Sequence, residues 1–117
     1  MPSTALAWSW RGLLHEYLQK DAWIAYFRAE AAADEARLAV FANIENEEPD
    51  AVVDSSISVA VAARREAFVA EDLADSLTEG RDYRTKQDDL LSCTAETAKA
   101  RQEAIRILRK AKRRVGQ

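Results

Sequence analysis

The sequence predicts an all-α protein, and three observations carry that prediction. Helix breakers are scarce, with Gly 3 and Pro 2 among 117 residues, while alanine, the strongest helix former, occurs 23 times. An apolar rhythm with a seven-residue period runs from Leu6 through Trp10, Leu13, Tyr17, Ile24, Phe27, Ala31 and Leu38 to Phe41, uninterrupted by proline. Turn-forming residues then gather at only two further places, near Pro49 and near Gly80. The expected architecture is an up-down-up bundle of three long antiparallel helices, about 4–46, 50–79 and 82–115.

The first helix opens after Pro2-Ser3-Thr4, whose hydroxyls suit an N-cap, and runs to the acidic turn Glu45-Asn46-Glu47-Glu48-Pro49-Asp50. Two positions of its stripe hold charges, Lys20 and Asp34, so the stripe is not the uniform seam of a simple two-stranded coil. Pro49 suits the first turn of the second helix, and Asp50 and Asp54 lie near its positive end. That helix carries Val53, Ile57, Val61, Phe68, Leu73 and Leu77 and should stop at Gly80, a natural left-handed cap. Thr85-Lys86-Gln87-Asp88 reads as a capping-box variant for the third helix, which continues through Leu90, Leu91, Thr94, Ala98, Ile105, Leu108 and Val115.

Two short connections make consecutive helices antiparallel neighbours. The first helix is then longer than the others by about 18 Å at about 1.5 Å per residue. The acidic turn registers the first two helices, so the excess falls at the N-terminal end, with Trp8, Trp10, Leu13 and Leu14 on it. Either the chain breaks near Gln19-Lys20-Asp21 and folds back as a fourth helix, or a straight helix projects and needs another chain. The rhythm crosses Lys20 with its phase intact, which favours the projecting helix. On this reading the half from Ile24 to Phe41 has partners within the chain, and the half before Lys20 does not.

A chain of this length with 48% apolar residues supports one core, so residues 1–117 are read as one domain. No stretch approaches the roughly 18 apolar residues of a membrane span. The first ten residues carry no Lys or Arg for a signal-peptide leader. The expectation is a soluble, cytoplasmic protein. The single cysteine, Cys93, shares a helical face with Leu90, Thr97 and Ala104 and is expected to be buried.

The net charge of −3 hides a division. Residues 99–117 hold eight basic residues and one acidic, 8 − 1 = +7, while residues 1–98 hold nine basic and nineteen acidic, 9 − 19 = −10. Lys99, Arg106, Arg109, Lys110, Arg113 and Arg114 share one arc of the third helix, an anion-binding candidate for nucleic acid or another polyanion. The acidic turn at 45–54 would sit at the same pole and compete for those charges. No aromatic residue is interleaved with them to stack on bases.

Catalytic constellations are weaker. The pairs Glu45/Glu48 and Asp72/Asp75 share a three-residue spacing, but Glu48 precedes proline and the pairs fall toward opposite ends of the bundle. His15 lies off the apolar stripe with no Glu three residues before it. Arg101, beside the apolar stripe of the third helix, is expected either to pair with Asp34 or Glu71 or to extend outward. The sequence therefore predicts no catalytic residues, metal site or cofactor. It predicts an interaction or assembly protein, an oligomer subunit or adaptor, that binds itself or a helical partner through Trp8, Trp10, Leu13, Leu14, Tyr17 and Trp23. Nucleic-acid binding through the basic arc is the alternative.

Overall fold

The computed structural model describes the backbone over residues 2–115 and side chains over residues 12–115. Three helices follow one another, α1 (Pro2–Glu45), α2 (Asp50–Glu79) and α3 (Arg84–Val115). They form a slender bundle of 77 × 20 × 19 Å. Helix α1 is continuous through Gln19-Lys20-Asp21, so the four-helix alternative does not form. Its 44 residues against the 30 of α2 leave an overhang of about 21 Å at about 1.5 Å per residue.

The connections are short because each helix end is closed by its own backbone. After α1, the Glu47 amide donates to the Ile44 carbonyl and the Glu48 amide to the Asn43 carbonyl, at 3.1 and 3.0 Å. This closure requires a left-handed residue, and Glu47 supplies it with φ 53° where glycine is the usual choice. After α2, Gly80 takes that role at φ 71°, and the Arg81 amide donates to the Ser76 carbonyl at 2.8 Å. Pro49 stands at the N-cap of α2, directly ahead of Asp50, the expected start of that helix. At the start of α3 the capping carboxylate is Asp82, whose Oδ1 accepts from the Arg84 amide at 3.1 Å. This corrects the capping box expected at Thr85: the helix has already begun there, and Asp82 reaches the first free amide sooner.

The helices meet through small residues. Most of the buried apolar side chains lie on α2, where Ala63, Ala67, Ala70 and Ala74 recur at helical spacing, joined by Leu73 and Leu77. Helix α1 meets this row with Ala22, Ala29, Ala33 and Ala36. Alanine lets helix axes approach toward the close end of the 8–10 Å range, where backbone and Cβ atoms make dense contact. The large residues of the apolar stripe cannot fit such a seam. Ile24, Phe27, Leu38 and Phe41 are exposed, Leu38 at 62%. This corrects the expectation that Ile24 to Phe41 is covered within the chain. At about 100° per residue the stripe lies roughly opposite the alanine face, so α1 is apolar on two opposed sides.

Helices α1 and α3 stand apart: no α-carbon of one comes within 8 Å of the other, and their side chains face each other only across grooves floored by α2. Each has its close seam with α2. Polar links fix the register of both seams. Between α1 and α2, Arg64 binds Asp34 at 2.8 Å, and the Thr78 hydroxyl accepts from Gln19 Nε2 and Trp23 Nε1 at 3.2 and 3.0 Å. Between α2 and α3, Lys86 binds Asp72 at 3.1 Å, and the Thr94 hydroxyl donates to Glu66 at 3.0 Å. Arg101 is exposed and has no carboxylate partner among the described residues, the outward of its two expected placements. Asp34 is taken by Arg64 of α2.

Three substitutions test this packing by urea unfolding. Ala67→Leu overfills the seam between Ala33 and Ala63 and is expected to cost about 1–3 kcal/mol. Gly80→Ala meets no atom within 4 Å, so its cost is conformational, about 1 kcal/mol. Glu47→Gly relieves the same backbone constraint and is expected to stabilise the fold by about 0.5–1 kcal/mol.

Candidate functional site

The overhang and the outward stripe form one surface. Leu13, Leu14 and Tyr17 are exposed, Tyr17 at 67%. The surface does not end at Lys20 but continues through Ile24, Phe27 and Leu38, with Phe27 at 60%. An exposed apolar face of this extent, broken only by the charges of Lys20 and Asp34, is a candidate interaction site. Trp23 lies at its edge and turns toward α2: its indole nitrogen donates to Thr78, and its ring packs edge-on to Tyr26 at 5.8 Å, 72° between planes. The side chains of Trp8 and Trp10 lie outside the described residues; their backbone belongs to α1.

Beside Trp23, hydrogen bonding to Glu30 raises the Tyr26 phenol above its ordinary range, with burial and Glu71 adding to the effect. The phenol therefore stays protonated at neutral pH.

The basic arc occupies the far end of α3. Lys99, Arg106, Arg109, Lys110, Arg113 and Arg114 are all exposed. Arg106 is held by Glu103 on its own helix, which raises the guanidinium's affinity for its proton and lowers the carboxyl of Glu103. The other five have no carboxylate within 4 Å among the described residues. The end of α3 does reach the start of α2, where Lys110 and Arg114 border the same hollow as Pro49 and Ala51. Neutralisation of this arc by the acidic turn is therefore not made by ion pairs.

A shallow apolar groove separates α1 from α3, with Leu73 and Leu77 of α2 as its floor and Leu18, Ala22, Leu90 and Leu91 on its walls. It is the direct result of the separation of α1 and α3. His15 is exposed, and Asp72 is taken by Lys86. Among the described residues, no three of His, Cys, Asp and Glu gather closely enough to hold a metal ion. No described helix is long and apolar enough to cross a membrane. Comparison of the chain with protein families, with curated proteins and with solved structures finds no match.

Sequence reasoning singled out Leu13, Leu14 and Tyr17, which are exposed, and did not expect the exposure of Ile24, Phe27 and Leu38. The missing signal was the spacing of Ala22, Ala29 and Ala36, which repeats every seven residues on the side opposite the stripe. Alanine reads as a helix former, and its role as a packing surface stays hidden.

Cys93 is buried on the α2 side of α3, and loss of solvation pushes its thiol up from the ordinary value, with nearby Glu96 adding to the shift. A neutral, covered thiol reacts slowly. Native protein is expected to modify with a chromogenic disulfide reagent at neutral pH far more slowly than urea-unfolded protein.

Proposed function

We infer that this chain is a non-enzymatic interaction or assembly module, an oligomer subunit or adaptor, that works by docking another helix on the outward face of α1. The observation that supports this reading is the pair of opposed apolar faces on one helix. One face, built of alanine, is satisfied by α2; the other, built of Leu13, Tyr17, Ile24, Phe27 and Leu38, is left to water in the single chain. Burial of each such side chain is worth about 1.5–3 kcal/mol, which gives a partner helix a strong driving force. Aromatic residues, which dominate interface hot spots, are well represented on this face. The basic arc of α3 is the competing surface; the absence of interleaved aromatic residues weighs against a base-stacking role for it.

The test compares oligomeric state across single substitutions in the full chain. Wild type is expected to sediment as an oligomer at high concentration. Phe27→Glu is expected to yield monomers with unchanged helix content, because the Phe27 side chain does not enter the intrachain seam. Phe68→Glu, on the exposed side of α2, is expected to leave association as in wild type. Association that survives Phe27→Glu and is abolished by Phe68→Glu would move the interface off α1.

A further inference from the structure

We propose that the partner of the α1 stripe is a second copy of this chain, docked antiparallel about a two-fold axis between residues 25 and 26. The proposal rests on the docking reading above and adds partner, direction and register.

The charges along α1 carry it. In an antiparallel pair of helices with a heptad seam, each stripe residue faces a stripe residue of the other half-heptad, and the flanking positions meet their own kind across the axis. Placing Ile24 against the partner's Phe27 sets the register. Leu13 then faces the partner's Leu38, and Tyr17 faces the partner's Asp34. The stretch from Leu13 to Phe41 spans about 42 Å at about 1.5 Å per residue.

In that register the polar residues are complementary. Lys20 falls one layer from the partner's Asp34, so the two interruptions of the stripe answer each other. On one flank Glu16 meets the partner's Arg37. On the other, Asp21 meets the partner's Arg28. Two-fold symmetry makes each pairing occur twice. All six residues are exposed, and of them Asp34 alone has an ion pair among the described residues, to Arg64, with its side chain still 60% exposed.

Alternative alignments set like charges together. A parallel pair places Lys20 on Lys20, Asp34 on Asp34, Glu16 against Asp21 and Glu30 against Glu35. Sliding the antiparallel pair by one heptad sets Asp21 on Asp21 with Glu16 against Glu30 in one direction. In the other it sets Arg28 on Arg28 with Asp21 against Glu35. Like-charge juxtaposition is how helix pairs reject wrong partners and registers. The geometry also leaves room along most of the stripe, since α2 packs on the alanine face of α1, reaching the stripe only near Asp34 and Phe41, and no α-carbon of α3 comes within 8 Å of α1.

Two measurements on the full chain test the proposal. In sedimentation equilibrium, Glu16→Arg is expected to weaken the dimer about tenfold, and Glu16→Arg combined with Arg37→Glu to return it to within about threefold of wild type. A parallel dimer would instead be strengthened by Glu16→Arg, which relieves its clash with Asp21. In a Cys93→Ala background, a short bismaleimide is expected to link the Leu13→Cys/Leu38→Cys double variant into covalent dimers and to leave each single variant unlinked. Linked dimers from Leu13→Cys alone, a dimer in which the double variant stays unlinked, or a wild type that remains monomeric would each overturn the proposal. A dimer that Phe27→Glu dissolves but that fails the cross-linking pattern overturns only this arrangement and leaves docking on α1 standing; a dimer that Phe27→Glu leaves intact overturns both.

Discussion

The close approach of α1 to α2 through alanine is the constraint on which the rest of the molecule depends. A seam of Ala29, Ala33 and Ala36 against Ala63 and Ala67 leaves no room for leucine or phenylalanine, and leucines enter only at its other end, where Leu73 and Leu77 pack with Ala22. Larger apolar residues are therefore displaced to other faces of the same helices. The bundle gains dense contact and modest apolar burial, and most of its large hydrophobic side chains stay at the surface. Polar links such as Arg64 to Asp34 and Trp23 to Thr78 then fix which alanine meets which, because a smooth alanine surface by itself specifies register poorly.

Three helices, their order and the two turns were legible from residues whose physics is local. Gly80 is a left-handed cap because it lacks a Cβ, and Pro49 stands at the start of α2 because it needs no amide partner. The turn after α1 was harder, since its left-handed residue is Glu47, which carries no such signature. Which face of α1 turns inward was not legible. The rule that large apolar residues go inside assigned Ile24 to Phe41 to the core, and packing density reversed it. Arg101 stayed undecided between a partner and solvent for a related reason: the choice depends on how closely α3 approaches α1, which periodicity does not give.

The same division explains why only part of the candidate surface was singled out. Its first residues, Leu13 and Tyr17, stood out because the length of α1 exceeds that of α2, a matter of counting. Its continuation past Lys20 depends on the direction in which the stripe points, and direction follows from the tertiary seam rather than from periodicity.

The separation of α1 and α3 also bears on how the fold comes apart. Each outer helix has its close seam with α2, so the molecule is two helical hairpins that share one strand of their stitching. Among the described residues α3 fully buries two side chains, Cys93 and Thr97, as α1 does with Ala22 and Ala33, but its seam with α2 is the sparser of the two, so less would be lost if it peeled away while the α1–α2 hairpin stayed closed. Local opening of this kind draws on the weakest seam first. Amide protection would then descend in steps, highest along the alanine row shared by α1 and α2 and lowest toward the basic end of α3. Unfolding would begin as the loss of one helix rather than of the whole.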